Sequence, residues 1–250
     1  APGHQAIALS TNPNITSDAA RVRGGYRLAP TKGGFDPMTA VVGGFWDSML
    51  GEGRRWWITA NSDSHIHYSE GGIDFWPGEY SKTYVFAEKK HESILASLRA
   101  GHIFVTTGDL ISALDFSIEF GDQRAMIGEQ LSVPDASELV LTISFEGRKH
   151  PSVARVDLIA GSIGSAGADP DSFRNETTHV VKRLSEFVEE DGKQTIQFSV
   201  KVDGPTYFRV RGTNTNELEP LDDPPAENPW DDLWFYSNPI FVVIGKDTLD

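Results

Sequence analysis

Three stretches in the second half of the chain alternate apolar and polar residues without a break. Their apolar positions are Leu114, Phe116, Ile118 and Phe120, then Leu139, Leu141, Ile143 and Phe145, then Ile196, Phe198, Val200 and Val202. Side chains of a strand point alternately to opposite faces, so each stretch predicts a strand with one buried face and one face in water. Together with apolar runs at 156–160, 206–211 and 240–244, the pattern predicts an antiparallel β-sandwich domain over residues 111–250.

Two helices are predicted in residues 1–110. The first begins at Asp36, an N-cap residue followed by proline, and its apolar residues recur at helical spacing up to Leu50. The second covers 91–100, and Gly101 ends it. Both helices would place an apolar face against a neighbouring layer.

Two strands are predicted between and after these helices, at 55–60 and 102–107. The first is short and lacks polar alternation, which is typical of a strand covered on both faces in a parallel sheet. This order of helices and strands predicts an α/β domain over residues 1–110, with chemistry at the carboxyl ends of its strands.

Charge and composition restrict the partners of the chain. The net charge is −14, from 36 acidic and 22 basic residues, and no run of lysine and arginine is long enough to bind along a phosphate backbone. We therefore expect neither nucleic acid nor an anionic membrane as a partner. The chain has no cysteine, which leaves any metal to histidine, carboxylate and carbonyl ligands. It also lacks an apolar stretch of about 18–20 residues that could span a bilayer. The composition suits bacterial cytoplasm and periplasm equally.

Residues 61–67, N-S-D-S-H-I-H, follow the predicted strand at 55–60. In an extended backbone Asp63, His65 and His67 would point in one direction, and a carboxylate with imidazoles suits zinc, manganese or iron. The alternative is a turn in which Asp63 accepts a hydrogen bond from a nearby backbone N–H and the histidines are ordinary loop residues.

The flanks of this motif resemble a known family. The run G-R-R-W-W-I-T-A-N-S-D-S-H resembles the last metal-binding motif of the polymerase-and-histidinol-phosphatase (PHP) family. The segments P-G-E-Y, T-Y-V and I-L-A-S-L-R-A-G-H-I-F-V-T-T-G-D resemble the region after that motif in PHP-like hydrolases of the carbaryl-hydrolase-like branch, as does S-N-P-I at 237–240. The resemblance covers residues 35–120 and extends to the remainder only in architecture.

The resemblance implies a seven-stranded β/α barrel that binds two or three divalent metal ions, zinc, manganese or iron. Carried over by position, Asp63 and His65 correspond to metal ligands, and His4 to an upstream histidine ligand. His67 has no counterpart in the motif and is a candidate for a substrate contact. No catalytic residue is assigned beyond the metal ligands.

Two residues after the metal motif are further candidates for substrate binding. Tyr80 and Lys82 could contact a phosphate or carboxylate, and the alternatives are a half-buried tyrosine and a solvated lysine. In the same region, Asp109 follows the strand at 102–107 and is interpreted as capping a turn between the domains.

The chain departs from the family pattern at its beginning. A PHP site starts with H-x-H on the first barrel strand, whereas the only H-x-H of this chain joins His65 and His67. We therefore expect the C-terminal part of a PHP-type (β/α)7 barrel followed by a β-sandwich, with the missing N-terminal part of the same protein as a partner. Alone, the chain should hold an incomplete metal site and have little activity.

The predicted function is metal-dependent hydrolysis of a small phosphoester by a metal-activated water. One alternative keeps the metal site but hydrolyses a carbamate, amide or other ester. A second alternative is a non-catalytic binding module that uses the β-sandwich.

Overall fold

The structure, a computed structural model, describes residues 31–62, 75–134, 137–148, 150–164, 173–223 and 228–245. The helices in these ranges are α1 (Pro37–Ala40), α2 (Phe45–Gly51) and α3 (His91–Ala100). The strands are β1 (Ser81–Val85), β2 (Ile103–Thr107), β3 (Ile111–Phe120), β4 (Gln123–Met126), β5 (Gln130–Val133), β6 (Ser137–Gly147), β7 (Arg155–Ser162), β8 (His179–Leu184), β9 (Val188–Glu190), β10 (Lys193–Val202), β11 (Thr206–Thr213), β12 (Trp234–Ser237) and β13 (Ile240–Ile244). None of these helices is long and apolar enough to cross a membrane.

The strands form two sheets. In the large sheet β11 is central, with β12 and β13 along one edge and β7 followed by β8 along the other. Strands β2 and β1 extend the sheet beyond β12, and β5 pairs with β13 as the only parallel neighbour in the described part. The small sheet has the order β4-β3-β6-β10-β9.

The main hydrophobic core lies between the two sheets. Strand β6 shows how alternation builds it, since Leu139, Leu141, Ile143 and Phe145 are buried while the residues between them are partly exposed. Burial of each such side chain contributes about 1.5–3 kcal/mol. The alternating strands predicted from the sequence are thus present at their predicted positions.

The other face of the large sheet is buried as well, and it carries charged side chains among apolar ones. Arg155, Asp157, Arg209 and Arg211 on β7 and β11 are buried there. Residues 31–62, which we define as the covering layer, contact Arg209, while residues 216–219 contact Arg155 and Arg211. The prediction of a sandwich with one face of each sheet in water is wrong for the large sheet, because the covering layer and residues 216–219 remove this face from water. Charged side chains at such positions need partners within the protein.

The predicted fold class, α/β plus all-β with part of a PHP-type (β/α)7 barrel in residues 1–110, is wrong. The described residues are mostly strand, and no such barrel is evident among them. A barrel of that type joins parallel neighbouring strands by crossover helices. Here β1 and β2, on either side of α3, pair antiparallel with each other, and β2 also pairs with β12 of the large sheet. The domain boundary near residue 110 stays a prediction.

The single helix predicted from Asp36 to Leu50 is two short helices. Asp36 caps α1 as expected, accepting a hydrogen bond from the Met38 N–H at 2.8 Å. The chain then leaves the helical path, and Gly43 has a left-handed φ of 74°. This conformation suits glycine and interrupts a helix. The predicted apolar face is consequently not continuous, and Met38 is half exposed.

The strand predicted at 55–60 is not a strand in the structure. Arg55 and Trp56 are exposed, and the segment pairs with no strand of the large sheet but runs over its outer face. Its apolar residues are explained by this position, because Trp57 and Ile58 pack against buried side chains of the sheet. A run of apolar residues that covers a sheet looks, in sequence, like a strand within one.

The second predicted helix and the strand after it are confirmed. Helix α3 covers His91–Ala100, and Gly101 ends it in the left-handed conformation. Strand β2 begins one residue later than predicted and is buried throughout.

Candidate functional site

Four of the predicted site residues lie outside the described part of the chain. These are the proposed metal ligands Asp63, His65 and His4, and the proposed substrate contact His67. The two remaining candidates, Tyr80 and Lys82, are described and have different surroundings.

Tyr80 is a packing residue with a satisfied hydroxyl. It is fully buried, and its ring stacks on Phe75 with centroids 4.8 Å apart and meets Trp230 edge-on at 5.4 Å. Its hydroxyl donates a hydrogen bond to the Pro229 carbonyl at 2.9 Å. These contacts favour a role in anchoring the start of β1.

Lys82 belongs to a partly exposed group of charged and polar side chains, which we call the Asp109 cluster: Lys82, Tyr84, Asp109 and Arg148. The Lys82 Nζ lies 2.5 Å from Asp109 Oδ1, and the Tyr84 hydroxyl donates to the same oxygen at 3.3 Å. The Arg148 Nη2 lies 3.4 Å from Asp109 Oδ2. The Lys82, Asp109 and Arg148 side chains are 26%, 27% and 45% exposed, so water and solutes reach the cluster.

The fold brings these four residues together from three places in the chain. Lys82 and Tyr84 are two residues apart on β1 and therefore face the same side. Asp109 follows β2 with a left-handed φ of 53°, a conformation uncommon for residues other than glycine, asparagine and aspartate. Arg148 follows β6 of the small sheet, and its backbone N–H donates to the Leu110 carbonyl at 3.2 Å.

The electrostatics of the cluster keep Tyr84 protonated. Burial raises the pKa of the Tyr84 phenol, and the negative charge and hydrogen bond of Asp109 raise it further, while Arg148 opposes them. Tyr84 therefore acts as a hydrogen-bond donor. Two cationic groups face one carboxylate, so the cluster carries a surplus positive charge in a chain of net charge −14. Such a group can bind anionic oxygens of a substrate.

The segment of the chain that leads to Asp63 lies, at Ile58, near the beginning of β2. The backbone N–H of Ile58 donates to Asn238 Oδ1 at 2.9 Å. The backbone N–H of Asn238 in turn donates, at 3.4 Å, to the carbonyl of Ile103, which is the first residue of β2.

Two residues later the chain has advanced along β2. The Ala60 N–H donates to Thr83 Oγ1 at 2.9 Å, and the Thr83 hydroxyl donates back to the Ala60 carbonyl at 2.7 Å. Thr83 pairs with Val105, in the middle of β2. Ser62, the last described residue before the motif, is buried. The chain thus runs over the outer face towards the end of β2, which Asp109 follows.

Metal ligands within the described ranges do not form a group. No three histidine or carboxylate side chains there could jointly hold a metal ion. The Asp109 carboxylate is committed to Lys82, Tyr84 and Arg148, which makes it a poor additional ligand. A metal would therefore depend on Asp63 and His65, with further ligands beyond the described residues.

Sequence reasoning missed three members of the cluster. Lys82 and Tyr84 in S-K-T-Y-V have the two-residue spacing that puts them on one face of a strand, and this signal was available. Asp109 was interpreted as a turn cap, and its second ion pair is with Arg148, which no local pattern connects to it. That contact is formed only when the small sheet packs on the large one.

Comparison with protein families and curated proteins gives no relative. No protein-family model matches the chain, and no curated protein matches it significantly. Functional inference therefore depends on the residues and their geometry.

Proposed function

We propose that this protein is a metal-dependent hydrolase of phosphoesters, with Asp63 and His65 as metal ligands. The supporting observation is the path of the chain that leads into these residues. Hydrogen bonds between Ala60 and Thr83 hold it on the outer face of β1, and it runs towards the strand end that Asp109 follows. Lys82 and Tyr84 of the cluster face the other side of β1, so a shared site would form around this end of the sheet. The motif and its flanks, which resemble those of PHP hydrolases, supply the reason for a metal.

The chemistry needs two contributions. A divalent metal ion supplies a Lewis acid and a bound water of lowered pKa, and Asp63 and His65 would hold it. The chain's own contribution at the cluster is charge, since Lys82 and Arg148 can bind the anionic oxygens of a phosphoester. Arginine can do so through two parallel hydrogen bonds, which orients the group as well as attracting it.

Metal binding by the purified full chain tests the proposal without requiring activity. The chain is equilibrated with zinc, manganese or iron(II), dialysed, and its metal content is measured by elemental analysis. The variant Asp63→Asn/His65→Gln should lose most of the bound metal. The matched control is His91→Gln, which removes an exposed histidine at the start of α3 and should retain it.

Hydrolysis assays separate the substrate classes. p-Nitrophenyl phosphate, its diester and aryl carbamates are compared in the presence of the metal that binds best. Turnover of phosphoesters that disappears in the double variant supports the proposal, while turnover of carbamates alone indicates the alternative ester or amide substrate. Metal content that is equal in wild type and double variant would contradict the proposal and favour a non-catalytic binding module.

A further inference from the structure

Arg209, Tyr236 and Trp234, on the outer face of the large sheet, each have a buried hydrogen-bond donor without an acceptor among the described residues. Arg209 Nη1 and the Tyr236 hydroxyl are both fully buried, and neither has a partner. Leaving one buried donor unpaired costs about 1–3 kcal/mol, and folded proteins contain few such groups. Trp234 Nε1 is also unpaired but lies close under Gly33, where an added Cβ would be 2.4 Å away.

The unpaired donors of Arg209 and Tyr236 lie on adjacent strands and on the same face. Arg211 of β11 is directly opposite Tyr236 of β12, and Arg209 is two residues from Arg211. Directly opposite residues of an antiparallel pair share a face, so the guanidinium groups and the phenol are neighbours. Phe35 of the covering layer packs edge-on against Tyr236 with centroids 4.6 Å apart and closes the site from outside.

The carboxylate that pairs with Arg209 cannot serve these donors. Asp47 already accepts hydrogen bonds from Arg209 Nε at 2.8 Å, Arg209 Nη2 at 2.7 Å, the Tyr207 hydroxyl at 3.0 Å and the Gly43 N–H at 2.8 Å. A carboxylate offers about four acceptor positions, and these four donors fill them. A water molecule beside Arg209 and Tyr236 could accept both hydrogen bonds but would need acceptors for its own hydrogens.

The charges around the two donors favour an anionic acceptor. Arg209 pairs with Asp47, and Arg211, directly opposite Tyr236, pairs with Asp157 and Glu219. The positive charges of Arg211 and Arg209 act on the Tyr236 phenol more strongly than the negative charges of Glu219 and Asp232. An acceptor at this position is therefore favoured when it carries a negative charge.

We propose that Arg209 and Tyr236 bind a small oxyanion, a phosphate or a carboxylate, between β11, β12 and the covering layer. A carboxylate, or the unprotonated oxygens of a phosphate, accept hydrogen bonds without donating any, as two adjacent donors require. The proposal does not depend on the proposed hydrolase activity.

Thermal unfolding of the full chain tests the proposal with phosphate and acetate as probes and chloride at equal ionic strength as the reference. Samples are equilibrated overnight because Phe35 covers the site. Wild type should show a saturable rise in Tm with phosphate or acetate, and the active anion identifies the ligand class. In Tyr236→Phe the apparent Kd should be weaker by roughly tenfold, as expected for loss of a hydrogen bond to a charged group.

The matched control is Ser117→Ala, which also removes a buried hydroxyl without a partner, but on the small sheet. It should respond to the anion like wild type. An equal rise in Tm for all three proteins would mean a general salt effect and would overturn the proposal, as would no rise with either anion.

Stability without the anion provides a second readout. In buffer that contains only chloride, Tyr236→Phe should be at least as stable as wild type, because it removes an unpaired buried hydroxyl. Clear destabilisation there would show that the hydroxyl has a partner within the protein, and would also overturn the proposal.

Discussion

Asp47 and Arg209 form a two-point ion pair in which both side chains are fully buried. Arg209 Nε lies 2.8 Å from one Asp47 oxygen and Nη2 lies 2.7 Å from the other. The guanidinium also lies over the Trp46 ring, 4.7 Å from its centroid. The pair joins α2 in the covering layer to β11 at the centre of the large sheet.

Asp47→Asn should destabilise the protein by roughly 3–5 kcal/mol, since it leaves the Arg209 charge buried without a counterion. Urea denaturation monitored by far-UV circular dichroism measures the free energy of unfolding. Asp122→Asn, at an exposed turn, is the control and should change that free energy by less than about 0.5 kcal/mol. A small effect of Asp47→Asn would mean that the pair contributes little.

Gly51→Ala should destabilise the protein by roughly 1–3 kcal/mol through overpacking. A Cβ at Gly51 would lie 2.3 Å from Asn175 Nδ2, and that amide donates to the Asp47 carbonyl at 3.2 Å. Gly204→Ala is the matched control, because no atom lies within 4 Å of an added Cβ there. Equal free energies of unfolding for the two variants would show that Asn175 moves aside at little cost.

Alkaline pH should weaken the fold partly through Tyr236. Burial is the main cause that raises the pKa of Tyr236 above its ordinary value of about 10. Above a pH of about 10 the phenol ionises in the unfolded chain but stays protonated in the folded protein. The folded state then binds more protons, so the free energy of unfolding decreases as pH rises.

Urea titrations between pH 8 and pH 11, flanking that pKa of about 10, measure this effect. The free energy of unfolding of Tyr236→Phe should decrease less steeply over this range than that of wild type. Chloride buffers are used so that no oxyanion contributes. Identical slopes would indicate that the phenol ionises in the folded state as easily as in the unfolded chain.

Lys82→Met should raise KM for p-nitrophenyl phosphate by about tenfold or more while kcat changes little, if Lys82 binds the substrate phosphate without taking part in bond cleavage. The free energy of unfolding should decrease by less than about 1 kcal/mol, since its ion pair with Asp109 is partly exposed. Lys201→Met, at an exposed position of β10, is the control for loss of a positive charge. An unchanged KM would remove Lys82 from substrate binding.

The sandwich could be predicted from sequence because its signal is local. In β6, Leu139 to Phe145 alternate in the sequence and alternate in burial. The same rule failed on β11, where Arg209 and Arg211 alternate with apolar residues on the face of the sheet that was expected in water. Arg209 is buried against Asp47 of the covering layer, more than 140 residues earlier in the chain, and Arg211 against Asp157 and residues 218–219. Alternation within β11 encodes neither contact.

The site was predicted only in part for a related reason. Lys82 was identified because it follows the metal motif, but its partner Asp109 follows β2, and Arg148, which also pairs with Asp109, follows β6. The interruption at Gly43 was missed because the apolar spacing continues through it, although two adjacent glycines, Gly43 and Gly44, are a local signal for a break.

The ion pair between Asp47 and Arg209 also limits how the covering layer can be assembled. Apolar contacts tolerate small displacements, whereas a shift of α2 by one residue would separate two buried charges and leave both without a partner. Misplaced arrangements of residues 31–62 are therefore penalised far more than the native one is stabilised. The pair selects a single alignment of this layer, so the chain that enters Asp63 always starts from the same point on the sheet.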